Sequence, residues 1–73
     1  MQIVAERIKE LRLDNGKTQM EIATLLRMDR SNYGKYEQGK LQINIYMLRE
    51  LAKFYNVTTD YLLGLTDDYS PKN

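Results

Sequence analysis

The chain has 73 residues, 29% of them charged and 42% hydrophobic, with a formal net charge of +1, so it holds one domain whose core is only just large enough to fold. It contains no cysteine and no histidine; disulfides, thiolate metal sites and serine–histidine or cysteine–histidine catalysis are excluded, and the commonest general base and metal ligand are missing. No apolar run approaches the roughly 20 residues that span a bilayer, and the amino terminus lacks the basic start and apolar stretch of a signal peptide, which makes the cytoplasm the expected compartment.

Val4, Ile8 and Leu11 recur at helical spacing among Glu6, Arg7, Lys9, Glu10 and Arg12. They predict a first helix from Gln2 to Asp14, stopped at Asn15-Gly16, two residues that tolerate a left-handed backbone. Thr18, with Glu21 three residues later, forms a capping box for a second helix over 19–26, with Ile22, Leu25 and Leu26 on one face and small Ala23 beside them. Arg27, Met28 and Asp29 separate it from a third helix, Arg30 to Glu37, for which Asp29 is the cap and Gly39 the stop. Tyr33 and Tyr36 lie three apart on it. Gly34, inside it, costs about 1 kcal/mol relative to alanine and marks either a close approach or a simple weakness. Asn44 caps a fourth helix whose apolar set is Ile45, Leu48, Leu51, Ala52 and Tyr55, and Asn56 ends it. Thr58 caps a short fifth helix with Tyr61, Leu62 and Leu63, closed by Gly64. Residues 65–73 carry two aspartates, a serine and the only proline, and are expected as an extended or frayed tail. Nothing alternates as a strand does. The expected fold is all-α, with five short helices in a domain over 1–64.

The informative feature is the pair of short helices joined by a three-residue turn. Ala23 lets helix three approach, and Ile22, Leu26, Met28, Tyr33 and Tyr36 can wedge the two at a steep angle. The amino-terminal half of helix three then projects, and an α-helix fits the DNA major groove. Its exposed residues would be Arg30, Ser31, Asn32 and Lys35, which are hydrogen-bonding types: arginine can donate twice to guanine, and asparagine can pair with adenine. The backbone donors at the start of helix two, by Thr18 and Gln19, suit a phosphate. Charge supports the same region. Between residues 27 and 40 Arg27, Arg30, Lys35 and Lys40 outnumber Asp29 and Glu37, whereas from residue 60 onward Asp60, Asp67 and Asp68 outnumber Lys72.

The run Arg7-Ile8-Lys9-Glu10-Leu11-Arg12, then Thr18-Gln19-Met20-Glu21-Ile22-Ala23, then the stretch from Asp29-Arg30-Ser31-Asn32-Tyr33 through Gly34-Lys35-Tyr36-Glu37-Gln38-Gly39-Lys40 resembles the Cro/C1 phage-repressor family, also called the XRE family. Leu51-Ala52-Lys53-Phe54-Tyr55-Asn56-Val57 and Asp60-Tyr61-Leu62-Leu63-Gly64 fit that family's last two helices. The resemblance covers residues 4–64, and implies a compact lambda-repressor-like domain, bacterial or phage-encoded, that binds double-stranded operator DNA and regulates transcription, most often as a repressor. It implies base contacts from Arg30, Ser31 and Lys35, with Asp29 and Asn32 at their edge, and DNA-backbone contacts from Gln19 and Lys40. It also implies a structural ion pair between Arg12 and Glu37. Family members usually bind as dimers on palindromic sites with half-sites about one turn apart; the corresponding surface here is the 41–43 loop with Leu41 and Ile43, plus Thr59 and Leu62. Two positions depart from the pattern. Arg27 stands where the family has a turn glycine, so either the turn differs or Arg27 touches phosphate. Tyr33 stands where isoleucine or valine is usual, a larger ring that would tilt helix three, with Gly34 as the accommodation.

Blander roles compete for several residues. Tyr33, Tyr36, Phe54, Tyr55 and Tyr61 read as core with hydroxyls at the surface rather than as base-stacking platforms, with contact to DNA left open for Tyr33 or Tyr46. Arg12 and Glu37 read as a partly buried pair rather than a loose surface one. Arg30 and Lys35 read as DNA contacts rather than a solvated face, Ser31 and Asn32 divide evenly between the two, and Asp29 is a cap before it is a base reader. Asp67 and Asp68 read as solvated, and Met20, Met28 and Met47 as gap-filling or surface residues. No metal or other cofactor is expected. The rival to a DNA-binding regulator is a protein-interaction or antitoxin-type module, which an exposed apolar patch on helices four and five would favour. An enzyme is disfavoured by the missing histidine and cysteine and by unclustered carboxylates.

Overall fold

Each helix after the first begins on a side chain that satisfies a free backbone donor. In the computed structural model, which describes residues 2–68, the helices are α1 (Gln2–Asp14), α2 (Gln19–Leu25), α3 (Arg30–Glu37), α4 (Ile45–Tyr55) and α5 (Thr59–Leu62). Thr18 Oγ1 accepts from the Glu21 N–H at 3.1 Å while Glu21 Oε1 accepts from the Thr18 N–H at 2.9 Å, the reciprocal box expected. Asp29 Oδ1 accepts from the Asn32 N–H at 2.7 Å and from the Ser31 hydroxyl at 2.9 Å. Those two bonds hold the Asp29 carboxyl below its ordinary range. Asn44 and Thr58 cap α4 and α5 in the same way. The expected stops are left-handed: Gly16, Gly39, Asn56 and Gly64 all have positive φ. Helix α2 ends one residue earlier than expected, at Leu25, because Leu26 turns out of helical geometry at φ −88° and ψ 1°.

The apolar stripes converge on one core. Val4, Ile8 and Leu11 of α1 meet Ile22, Ala23 and Leu26 around α2, Tyr33 of α3, and Met47, Leu51, Ala52 and Tyr55 of α4, with Val57 and Leu62 closing it. Among the described residues there is no strand. Some expected positions change. Ile45, counted in the stripe of α4, sits in its first turn, where nothing packs over it, and is 84% exposed. Phe54 is 42% exposed and meets Tyr55 edge-on rather than entering the core. The Tyr33 side chain is fully buried, so its hydroxyl does not reach the surface and its ring is not available to DNA. The Tyr55 hydroxyl is buried as well.

The first residues of the expected tail lie against α1. Gly64 has φ +81°, and a Cβ there would fall 2.9 Å from the Ile3 side chain, so the chain passes α5 pressed against α1. Arg7 then fastens it: Nη1 donates to the carbonyls of Tyr61 at 2.5 Å and Thr66 at 2.6 Å, and Nη2 to Asp67 Oδ1 at 2.7 Å. Its guanidinium also lies 4.2 Å from the centre of the Tyr61 ring, within cation–π range. Asp67 and Asp68 are exposed, but Asp67, expected as a merely solvated side chain, pairs with Arg7. The rest of the expected tail, 69–73, lies outside the described residues. No helix among the described residues is long and apolar enough to cross a membrane.

Candidate nucleic-acid interface

The turn between α2 and α3 is made by Arg27 in the left-handed region, at φ 58°. That conformation costs a non-glycine residue roughly 1–2 kcal/mol. Backbone bonds from Arg27 N to Thr24 O at 3.1 Å and from Met28 N to Ala23 O at 3.0 Å fix it. The turn is therefore the one a glycine would make, with an exposed arginine side chain added. Ala23 is fully buried beneath α3, and Met28 and Tyr36 pack at the edge of the core, completing the expected wedge.

With Tyr33, Gly34 and Glu37 buried, α3 has one face locked inward. Its other face carries Arg30, Ser31 and Lys35, all exposed, with Asn32 half-buried beside them. Thr18, Arg27 and Lys40 are exposed and Gln19 is half-buried. Apart from the buried Tyr33, every residue expected to meet bases or phosphates thus retains access to solvent.

Beneath this face lies a buried polar knot. Glu37 accepts four hydrogen bonds: Arg12 Nε to Oε2 at 2.7 Å, Arg12 Nη2 to Oε1 at 3.0 Å, Tyr33 Oη to Oε2 at 2.5 Å, and Gln19 Nε2 to Oε1 at 3.1 Å. Arg12 Nη1 also donates to the Lys17 carbonyl at 3.0 Å. The side chains of Arg12 and Glu37 are 10% and 2% exposed, so the pair expected to be partly buried is almost wholly so. Removal from water acts to raise the Glu37 pKa, but the bonds from Arg12, Tyr33 and Gln19 outweigh it, and the carboxyl lies below its ordinary range. The bond to Glu37 raises Arg12 against the opposing effect of burial. Burial first, then the Glu37 hydrogen bond, pushes the Tyr33 phenol far up. Burial, then the Glu37 charge, pushes Tyr55 up to about 12. The knot ties α1, the loop before α2, α2 and α3 together. Sequence reasoning found Arg12 and Glu37 but missed Tyr33 and Gln19. The available signal was the i, i+4 spacing of Tyr33 and Glu37 on one helix.

Gly34 faces Gln19. The Gln19 amide lies across it, 3.7 and 3.9 Å from where a Cβ would stand, and its Oε1 accepts from Arg30 Nη1 at 3.3 Å. Of the residues expected at a dimer surface, Leu41 and Thr59 are exposed and Ile43 is half-buried. Leu62 leaves that set: it is fully buried in the core and offers no surface to a second copy. Ile45, two residues beyond Ile43, is 84% exposed.

The helix-turn-helix family model matches residues 8–62. The chain belongs to the helix-turn-helix family. Among its relatives, the HTH-type transcriptional regulator ImmR of Bacillus subtilis is 40% identical over 70 residues, covering 96% of this chain and 54% of ImmR. The uncharacterized HTH-type transcriptional regulator YobD of the same organism is 37% identical over 67 residues, covering 92% of this chain and 60% of YobD. This helix-turn-helix chain therefore spans little more than half the length of the curated relatives it matches. Among solved structures, the P22 c2 repressor in complex with a synthetic operator superposes with a TM-score of 0.74 at 22% identity, over 85% of this chain and 94% of that one. That likeness establishes the lambda-repressor-like fold, and the family match agrees with the Cro/C1 resemblance read from the residues.

Proposed function

We propose that this helix-turn-helix chain binds double-stranded DNA in a sequence-specific way through α3 and regulates transcription at the operator it occupies. The observation that carries this reading is the two-sided character of α3: Tyr33 and Glu37 lock one face, and Arg30, Ser31 and Lys35 are exposed on the other. A rigid helix with exposed donors is what major-groove reading requires. Asn32 completes the base-reading set, and Thr18, Gln19, Arg27 and Lys40 supply phosphate contacts that set register and affinity. Relatives named as transcriptional regulators and a structural neighbour named as a repressor on an operator support the same assignment. Repression is the proposed mode, because occupying an operator excludes other proteins without any further surface. The site of action is the cytoplasm, where such DNA is reached.

The chain acts as a homodimer on a palindromic operator. Leu41, Ile43, Thr59 and Ile45 form its proposed contact surface, and half-sites lie about one helical turn apart. The same apolar group, with Tyr46 47% and Ile45 84% exposed, favours the second reading, a protein-interaction module. Selection of preferred sites from random duplex DNA separates the two. Enrichment of a two-fold symmetric sequence supports the regulator; no enrichment at low salt refutes it in favour of the interaction module.

A further inference from the structure

We infer that Arg7 is a positioning residue for the contact between the two copies: by fastening α5 and the chain after it to α1, it fixes the half-site spacing that the dimer accepts. The inference rests on the homodimeric reading of Leu41, Ile43, Ile45 and Thr59 proposed above.

Half-site spacing is set by the path through the protein from the reading helix to the two-fold contact. The proposed contact has two parts on unequal footings. Ile43 and Ile45 flank the start of α4, an 11-residue helix anchored in the core by Met47, Leu51, Ala52 and Tyr55. Thr59 belongs to α5, which has 4 residues, of which only Leu62 is buried. One turn of helix does not persist on its own hydrogen bonds. Helix α5 therefore stays where its neighbours hold it.

Arg7 holds it from outside the core. Its Nη1 donates to the carbonyl of Tyr61, inside α5, and to the carbonyl of Thr66 beyond it. The bond to Asp67 adds little, because that side chain is fully exposed. The clasp thus rests on two carbonyls and the Tyr61 ring, and carbonyls shift only when the backbone shifts. The Arg7 side chain is 12% exposed, so opening the clasp leaves a nearly dry guanidinium short of acceptors, which is costly. Gly64 sets the path that closes it: at φ +81°, with Ile3 where a Cβ would stand, the chain turns back along α1 and brings Thr66 to Arg7. Further along the same helix Arg12 grips Glu37 of α3. One helix is therefore bonded to both the reading helix and α5, and Arg7 is its attachment at the dimer end.

The test uses the full chain and four duplexes: the selected palindrome, that site with one base pair added or one removed between the half-sites, and a single half-site. Each added base pair moves the second half-site about 3.4 Å and turns it by about a tenth of a turn. Arg7→Met keeps the apolar stem and removes every donor. Arg7→Lys keeps the charge without the planar fork, and is a second variant should the first fail to fold. Thermal unfolding establishes that each variant is folded at the titration temperature. A general loss of stability lowers affinity for all four duplexes alike, so the readout is the ratio between spacings. Wild type is expected to prefer the selected spacing. Arg7→Met is expected to reduce that preference about fivefold, the low end of coupling between two sites of one protein, while binding the single half-site as wild type does. If a folded Arg7 variant keeps the wild-type spacing preference, or loses half-site and palindrome affinity in equal measure, the positioning role is overturned and the dimer reading stands. If wild type binds every spacing alike, the homodimeric reading itself fails, and this inference falls with it.

Discussion

Truncating Arg12 to alanine probes the polar knot at its most loaded point. Arg12 supplies two of the four hydrogen bonds to a carboxylate that is 2% exposed. Without it Glu37 keeps only two neutral donors, Tyr33 and Gln19, and no counter-charge. Breaking a buried pair by removing one partner costs about 3–5 kcal/mol, whereas a domain of this size has a total stability of about 4–11 kcal/mol at the usual value per residue. Arg12→Ala should therefore lose roughly a quarter or more of the stability at pH 7, measured by urea unfolding of both proteins. The loss should depend on pH in a stated direction. The Glu37 pKa is depressed in the fold, so the stability it contributes is complete above its ordinary value of 4.5 and disappears as pH falls through the lower folded value. The gap between wild type and variant should close below that point. Replacing both partners with methionine should cost less than Arg12→Ala alone, because no orphan charge remains. A difference below about 1 kcal/mol at pH 7, typical of an exposed pair, would refute the reasoning.

Three further outcomes follow from the same coordinates. The phenols of Tyr33 and Tyr55 are raised in the fold, so stability should hold below their ordinary value of 10.0 and fall as pH rises above it, when the unfolded chain releases protons the folded one retains; thermal unfolding across that range checks it. Gly34→Ala should raise stability by up to about 1 kcal/mol, since the new Cβ meets Gln19 only at ordinary contact distance, and a lower melting temperature would contradict this. Ile45→Lys should leave the melting temperature unchanged, because the side chain is 84% exposed. It should weaken self-association on operator DNA, as read by sedimentation or by loss of cooperative half-site occupancy.

Much of this fold is legible residue by residue because its helix ends rest on local chemistry. Thr18, Asp29, Asn44 and Thr58 each bond a backbone N–H three residues on, and the glycines and Asn56 stop helices by conformation alone. Such signals lie within one turn of chain. Depth is harder. Ile45 keeps the period of α4 but lies in its first turn beyond any covering element, while Leu62 occupies a position the resemblance assigns to a surface and is fully buried. Periodicity says that Tyr33 points inward; it does not say where a phenol hydroxyl ends. The fastening of residues 61–67 by Arg7 joins groups up to 60 positions apart, and no local pattern encodes it. The exposed face of α3 was legible because its residues are the ones the core leaves out. The amide link from Glu37 to Arg30 was not, because it depends on the close approach of α2 across Gly34.

The central claim is that the exposed face of α3 reads base sequence. It is tested most directly by titrating wild type and Arg30→Ala against the selected operator and a random duplex at the same salt concentration. The account predicts a loss of about 1–3 kcal/mol on the operator beyond the loss on the random duplex. An equal loss on both would mean that Arg30 meets only phosphate, and would contradict it.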